Sequence, residues 1–97
     1  MPTYITLMNW TDQGVKSFKD SVDRAAAAEV ALSPVGIKFK DLYWTVGAYD
    51  LVATLEAPDE ETLAAALLAL AAQGNLRTTT LRAFSADEMK GVIARAG

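Results

Sequence analysis

Ile37-Lys38-Phe39-Lys40-Asp41-Leu42-Tyr43-Trp44-Thr45-Val46-Gly47-Ala48-Tyr49-Asp50-Leu51-Val52-Ala53-Thr54-Leu55 reads as two strands joined by a turn, and this hairpin decides the fold. Ile37 to Val46 is rich in β-branched and aromatic residues, which suit a pleated, half-buried surface. Gly47-Ala48 suits a two-residue connection whose first central position needs a positive φ. If Val46 and Tyr49 flank the turn as a pair, they share one face with Trp44, Leu51, Ala53 and Leu55. Thr45, Asp50, Val52 and Thr54 then share the other. The first face is apolar and is expected to be core.

Upstream, Thr3 to Met8 alternates Tyr4, Thr6 and Met8 against Ile5 and Leu7, the period of a strand. Thr11 or Asp12 can cap a following helix in which Val15, Phe18, Val22, Ala25 and Ala26 form an apolar stripe. The helix is expected to reach about Leu32, with Ser21-Val22-Asp23-Arg24 offering a second capping point if it breaks near Asp20. Pro34 and Gly36 stop it. Downstream, Pro58 and Asp59 open a helix that turns Leu63, Leu67 and Leu70 inward and ends at Gly74. Arg77 to Phe84 alternates Thr78, Thr80 and Arg82 against Thr79, Leu81 and Ala83, a fourth strand. Ser85-Ala86-Asp87-Glu88 is a capping box before a last helix striped with Met89, Val92, Ile93 and Ala96. The order βαββαβ plus a C-terminal helix predicts an α+β, ferredoxin-like fold, an antiparallel sheet with helices on one face.

The 97 residues are expected to form one domain, 1–97, burying about 60–65% of the surface exposed by the unfolded chain. Nine Lys and Arg, scattered singly, against twelve Asp and Glu give a net charge of -3, which argues against a nucleic-acid partner. The absence of cysteine excludes disulfides, a thiolate nucleophile and a Cys-based metal site. The absence of histidine removes a haem ligand, the commonest zinc and copper ligand, and the usual general base near neutral pH. No cofactor and no metal are therefore expected. The chain start lacks a basic segment followed by an apolar signal core, and Leu63 to Ala72 is too short to span a bilayer, so a cytoplasmic protein without a membrane partner is expected.

In order and spacing, Trp10-Thr11-Asp12-Gln13-Gly14, Gly47-Ala48-Tyr49-Asp50, Glu56-Ala57-Pro58-Asp59-Glu60 and Gly74-Asn75-Leu76-Arg77-Thr78 resemble the GYD domain family over nearly the whole chain. The resemblance implies a small, bacterial, ferredoxin-like protein of the dimeric α/β barrel group, and hence a homodimer or higher homo-oligomer.

Two helices cover only one side of a four-stranded sheet, so the other must meet water, a second copy or a ligand. The alternations predict that this open side carries Tyr4, Thr6, Met8, Tyr43, Thr45, Asp50, Val52, Thr54, Thr78, Thr80 and Arg82. Pairing across a two-fold axis would bury the apolar parts and leave a cavity lined with hydroxyls, fit for a small, partly apolar, oxygen-bearing metabolite. Thr6, Tyr43, Thr45, Tyr49, Asp50, Thr78, Thr80 and Arg82 are the candidate ligand-binding residues, and Met8, Trp10, Val52 and Thr54 the candidate interface. The terminal helix is a further contact for a larger assembly.

Each feature also has a structural reading. Asp50 is the base if there is chemistry, as in a cofactor-independent oxygenase or isomerase, or else accepts backbone N–H bonds beside a turn while Tyr49 covers the hairpin end. Arg24 stands four residues from Asp20 as a solvated pair or reaches an interface. Asp59-Glu60-Glu61 complements a helix dipole more readily than it binds metal. Trp44 is expected in the core and Trp10 at an interface. Gly47 and Gly74 lack the strand-to-helix setting of a phosphate-binding loop.

Overall fold

The computed structural model describes residues 1–97, as β1 (Thr3–Trp10), α1 (Asp12–Lys16), α2 (Ser21–Leu32), β2 (Lys38–Trp44), β3 (Leu51–Glu56), α3 (Glu60–Ala72), β4 (Leu76–Ala83) and α4 (Ala86–Ala96). The strands lie in the order β2-β3-β1-β4 and every neighbouring pair is antiparallel. This is the ferredoxin-like βαββαβ arrangement with a C-terminal helix added. No helix is long and apolar enough to cross a membrane.

The hairpin keeps its expected register, Trp44 opposite Leu51 and Tyr43 opposite Val52, although regular pairing stops at Trp44. Thr45 still closes the connection, donating its N–H to the Asp50 carbonyl at 2.8 Å, and Gly47 takes the expected positive φ, 139°. A bulge at Lys40 sets Phe39 opposite Leu55 and Asp41 opposite Thr54, so Phe39 and Leu42 both face the helices. Strict alternation from Ile37 to Val46 would have put them on opposite sides.

β1 corrects the expected faces. Tyr4, Thr6 and Met8 stand opposite Leu55, Ala53 and Leu51 on one side and Arg82, Thr80 and Thr78 on the other. Residues directly opposite in antiparallel strands share a face. All these side chains therefore lie beneath the helices, and Thr6 is only 2% exposed. Tyr4, Ile37, Leu55, Ala57, Leu63 and Ala66 form the main core, and Met8, Leu51 and Ala53 a second cluster. The open side carries Ile5, Leu7, Val52, Thr54, Tyr43, Thr79 and Leu81.

The first helical segment breaks where a second cap was anticipated. α1 ends at Lys16, a 3₁₀ turn spans Phe18–Asp20, and α2 starts at Ser21. The break rotates Val15, Phe18 and Val22 out to solvent, so α2 meets the sheet through Ser21, Arg24, Ala25, Ala28 and Leu32 instead. α4 starts on its capping box and buries no residue, leaving Phe84, Met89, Val92 and Ile93 exposed. The result is an elongated molecule, 50 × 31 × 18 Å. Its radius of gyration is 14.6 Å, against about 12.5 Å for a compact chain of this length.

Candidate functional site

Three of the sequence motifs meet at one end of the sheet, where β1 and β2 finish and β3 and β4 begin. β1 leads through Trp10 into Thr11, whose extended backbone and side-chain oxygen cap α1 by accepting the Gly14 N–H at 3.0 Å. The Thr11 hydroxyl also donates to the Gly74 carbonyl, and the Thr11 N–H donates to the Asn75 carbonyl at 3.1 Å. Gln13 Nε2 reaches the Gln73 carbonyl and Asn75 Oδ1, each at 3.0 Å. A Cβ at Gly14 would run into the Asn75 carbonyl, so only glycine lets α1 lie against this loop. One short polar network thus ties the α3–β4 connection to the end of β1.

Asp50 fastens the other side of the junction. Its N–H donates to the Met8 carbonyl at 2.8 Å and its Oδ2 accepts the Trp10 N–H at 2.9 Å, bridging β1 on both sides of Asn9. A carboxylate substitutes here for the backbone acceptor that is lost as the chain turns away. Thr45 Oγ1 donates to the Tyr49 carbonyl, and Tyr49 itself is half-buried.

Arg24 does not pair with Asp20. Its Nη1 donates to the Ser17 carbonyl and Oγ at 2.9 and 3.0 Å, and its Nη2 to the Gly14 carbonyl at 3.4 Å. The Gly14 and Ser17 carbonyls already accept the Ser17 and Asp20 N–H groups in the turn before α2, and the guanidinium adds a second bond to each. Both ion pairs of the molecule, Lys40–Glu56 and Lys90–Asp87, lie elsewhere. Trp44, expected in the core, is 40% exposed, with its indole N–H donated to Ser21 Oγ at 2.8 Å.

Between α2, α3 and the sheet lies a cavity of about 70 Å³, walled mainly by aliphatic side chains. Its polar lining is Thr6, Ser21, Arg24, Gln73 and Asn75, and all but Thr6 come from the junction end. Thr6 Oγ1 is 3.2 Å from Thr80 Oγ1, so that pair satisfies itself inside the covered layer. Trp10 also lines the cavity, and its indole N–H is buried without a partner.

The hydroxyl-rich surface expected on the open face is therefore divided. Thr6, Thr78, Thr80 and Arg82, with Met8 and Trp10, lie on the helix side, where Arg82 stacks over Phe84 at 4.4 Å and Tyr4 at 5.7 Å. Tyr43, Val52 and Thr54 remain on the open side, Thr54 donating to Asp41 Oδ2 at 2.9 Å. Thr45, Tyr49 and Asp50 belong to the junction.

At the opposite end, Pro2, Tyr4, Asp59, Glu60 and Glu61 line a shallow cleft, with the Tyr4 hydroxyl buried and unpartnered. Asp59 Oδ1 accepts the Thr62 N–H at 2.7 Å, and that cap bond holds its carboxyl below the ordinary 3.8. Glu88 is likewise held below its ordinary 4.5, first by the Ser85 N–H, as the second half of the α4 capping box. No three acidic side chains come together in a way that would hold a metal ion.

Comparison with known proteins places this geometry. The model of the GYD domain matches residues 4–93. The chain belongs to the GYD domain family. It is 33% identical over 90 residues to the "Glutamine synthetase and cystathionine beta-lyase binding protein" of Thermus thermophilus, covering 92% of this chain and 95% of that one. A crystal structure of a protein from Thermus thermophilus superposes with a TM-score of 0.55 at 28% identity, over 89% of this chain and 96% of its own.

In this GYD chain the Gly47-Ala48-Tyr49-Asp50 motif is a fastening. Gly47 shapes the hairpin loop and Asp50 holds the end of β1. Sequence reasoning missed Gln13 and Gln73, which tie the α3–β4 connection to α1, and Ser17, which holds Arg24. Only Gln13 lies within one of the quoted motifs, Trp10–Gly14, and nothing local in the sequence shows that it touches the segment around Gly74.

Proposed function

We propose that this protein is a self-associating binding protein whose open sheet faces pair, as in a dimeric α/β barrel, to form a unit that docks on an enzyme. The observation that carries this reading is the side of β1 that faces outward. Ile5 and Leu7, more apolar than the buried Thr6, sit on the uncovered face, flanked across the sheet by Val52, Tyr43 and Leu81. A lone chain would gain by presenting these to a core, so their place is understandable if a second copy covers them.

Surface area supports the same reading. The chain exposes 6461 Å², against about 5,400 Å² for a monomer of its mass. The excess, about 1,000 Å², compares with the ~800 Å² that each partner buries in an ordinary stable interface. α4 adds Met89, Val92 and Ile93 as a second uncovered apolar surface, available to the partner copy. Tyr43 then lines the space between copies.

The relative named for binding glutamine synthetase and cystathionine β-lyase supports extending the role to an enzyme partner. With the sheet faces paired, the outer helical side, with exposed Val15, Phe18 and Val22, stays free for that partner. The alternative as a cofactor-independent enzyme needs Asp50 as base, whereas its Oδ2 accepts the Trp10 N–H and so has a structural role.

Sedimentation equilibrium tests the pairing. Wild type is expected as a dimer or larger assembly at micromolar concentration. Val52→Lys, which would bury an unpaired ammonium between the sheets, is expected to weaken association at least ~100-fold. A monomeric wild type, or a Val52→Lys variant that associates normally, overturns the reading.

A further inference from the structure

We propose that the cavity between the helices and the sheet binds a small organic acid, with a tail of a few carbons seated among the aliphatic walls and its carboxylate at the junction end. This goes beyond the pairing of the open faces, since the cavity lies on the other side of the sheet and within a single chain.

Charge and hydrogen bonding select this class of ligand. Arg24 is the only charged residue lining the cavity, and no Asp or Glu joins it. Its guanidinium meets only neutral oxygens, those of Ser17 and Gly14, so its charge has no counter-charge in contact. A guanidinium carries five N–H donors in a fixed fork that suits a carboxylate. Trp10 supplies the second, independent sign. Its indole nitrogen can only donate, and here it is buried without an acceptor. Buried donors are almost always satisfied, so an orphan beside a cavity asks for an acceptor oxygen inside it.

Size and lining set the tail. Ala25 and Ala28 of α2 and Leu63 and Ala66 of α3 line the space together with Leu51 and Leu55 of β3. The volume, about 70 Å³, is about half of the ~150 Å³ that holds benzene in an engineered apolar cavity, which suits a tail of about three or four carbons. Gln73 and Asn75 complete the polar end.

Butyrate is a suitable probe, with butylamine as the same tail bearing the opposite charge. Both can be titrated into wild-type protein while the two indole N–H signals are followed by NMR, assigned with Trp44→Phe. Millimolar butyrate is expected to shift the Trp10 signal downfield and leave Trp44, already bonded to Ser21, nearly unmoved, and butylamine is expected to shift neither. Ala28→Leu fills the cavity and is expected to weaken butyrate binding at least about tenfold, with the far-ultraviolet circular dichroism unchanged. An unmoved Trp10 signal overturns the proposal, as does an equal response to butylamine. So does butyrate binding undiminished in a folded Ala28→Leu. The butylamine comparison decides the matter on wild type alone if that variant fails to fold. Sedimentation reads the pairing of chains and the indole signal reads the cavity, so either idea can fail without the other.

Discussion

The two faces of the sheet depart from the usual division of polarity along β1 and β4, while β3 keeps it, with Leu51, Ala53 and Leu55 turned inward. Beneath the helices lie Thr6, Thr78 and Thr80, while Ile5, Leu7 and Val52 look outward. A strand that serves a monomer turns its aliphatic residues to the core and its threonines to water. Here the covered face has hydroxyls that bond to each other across strands and small side chains that leave space. The open face has the residues that another surface would cover. The contrast explains why the sheet is fully formed while only 12 of 97 residues are buried in the single chain.

Neighbouring residues on opposite faces give the strongest way to break this contrast. Thr6→Lys would force an ammonium into the covered layer and is expected to destabilise the fold by about 3–5 kcal/mol, read by urea denaturation. Leu7→Lys is expected to cost the folded chain less than ~1 kcal/mol while abolishing the concentration dependence of Tm that association confers. If Leu7→Lys unfolds the chain and Thr6→Lys does not, the faces have been assigned the wrong way round.

The junction that closes the covered side gives a smaller effect. Asp50→Ala removes the acceptor of the Trp10 N–H and is expected to cost about 1–2 kcal/mol, again by urea denaturation. An unchanged midpoint would mean that the carboxylate is there for something other than holding β1.

The smallest effect is electrostatic and concerns the ends of α3 and α4. Asp59 and Glu88 have folded-state values below their ordinary 3.8 and 4.5, because each accepts a cap N–H. Their contribution is complete above the ordinary values and is lost as pH falls through the lower folded ones. Helical circular dichroism is thus expected to be flat above pH 4.5 and to decline slightly below it, and Glu88→Gln is expected to reduce the decline. A loss of helix on raising the pH would contradict the sign.

How much of this was legible in the sequence follows from what each signal encodes. Element order was legible because caps and turn residues are local, as at Ser85–Glu88 and Gly47. The β2–β3 register was legible because a tight connection fixes which residues face each other. The side of β1 was not, since a period of two shows that Thr6 and Leu7 point apart but not which points in. That choice depends on pairing with β3, which is remote in sequence. The Lys40 bulge and the break after Lys16 each shift a periodic pattern, the first setting Phe39 and Leu42 on one face and the second misplacing the stripe of Val15, Phe18 and Val22. At the candidate site, Asp50 was legible as a turn-side acceptor, whereas the contacts of Arg24 and the cavity arise only when α2 and α3 are laid on the sheet.

Intermolecular contacts measured on a mixed sample, one half isotope-labelled, test the central claim most directly. The account predicts nuclear Overhauser effects between copies from the methyl groups of Ile5, Leu7, Val52 and Leu81. Their absence in an associated sample, or contacts between copies that involve only the helical side, would contradict it.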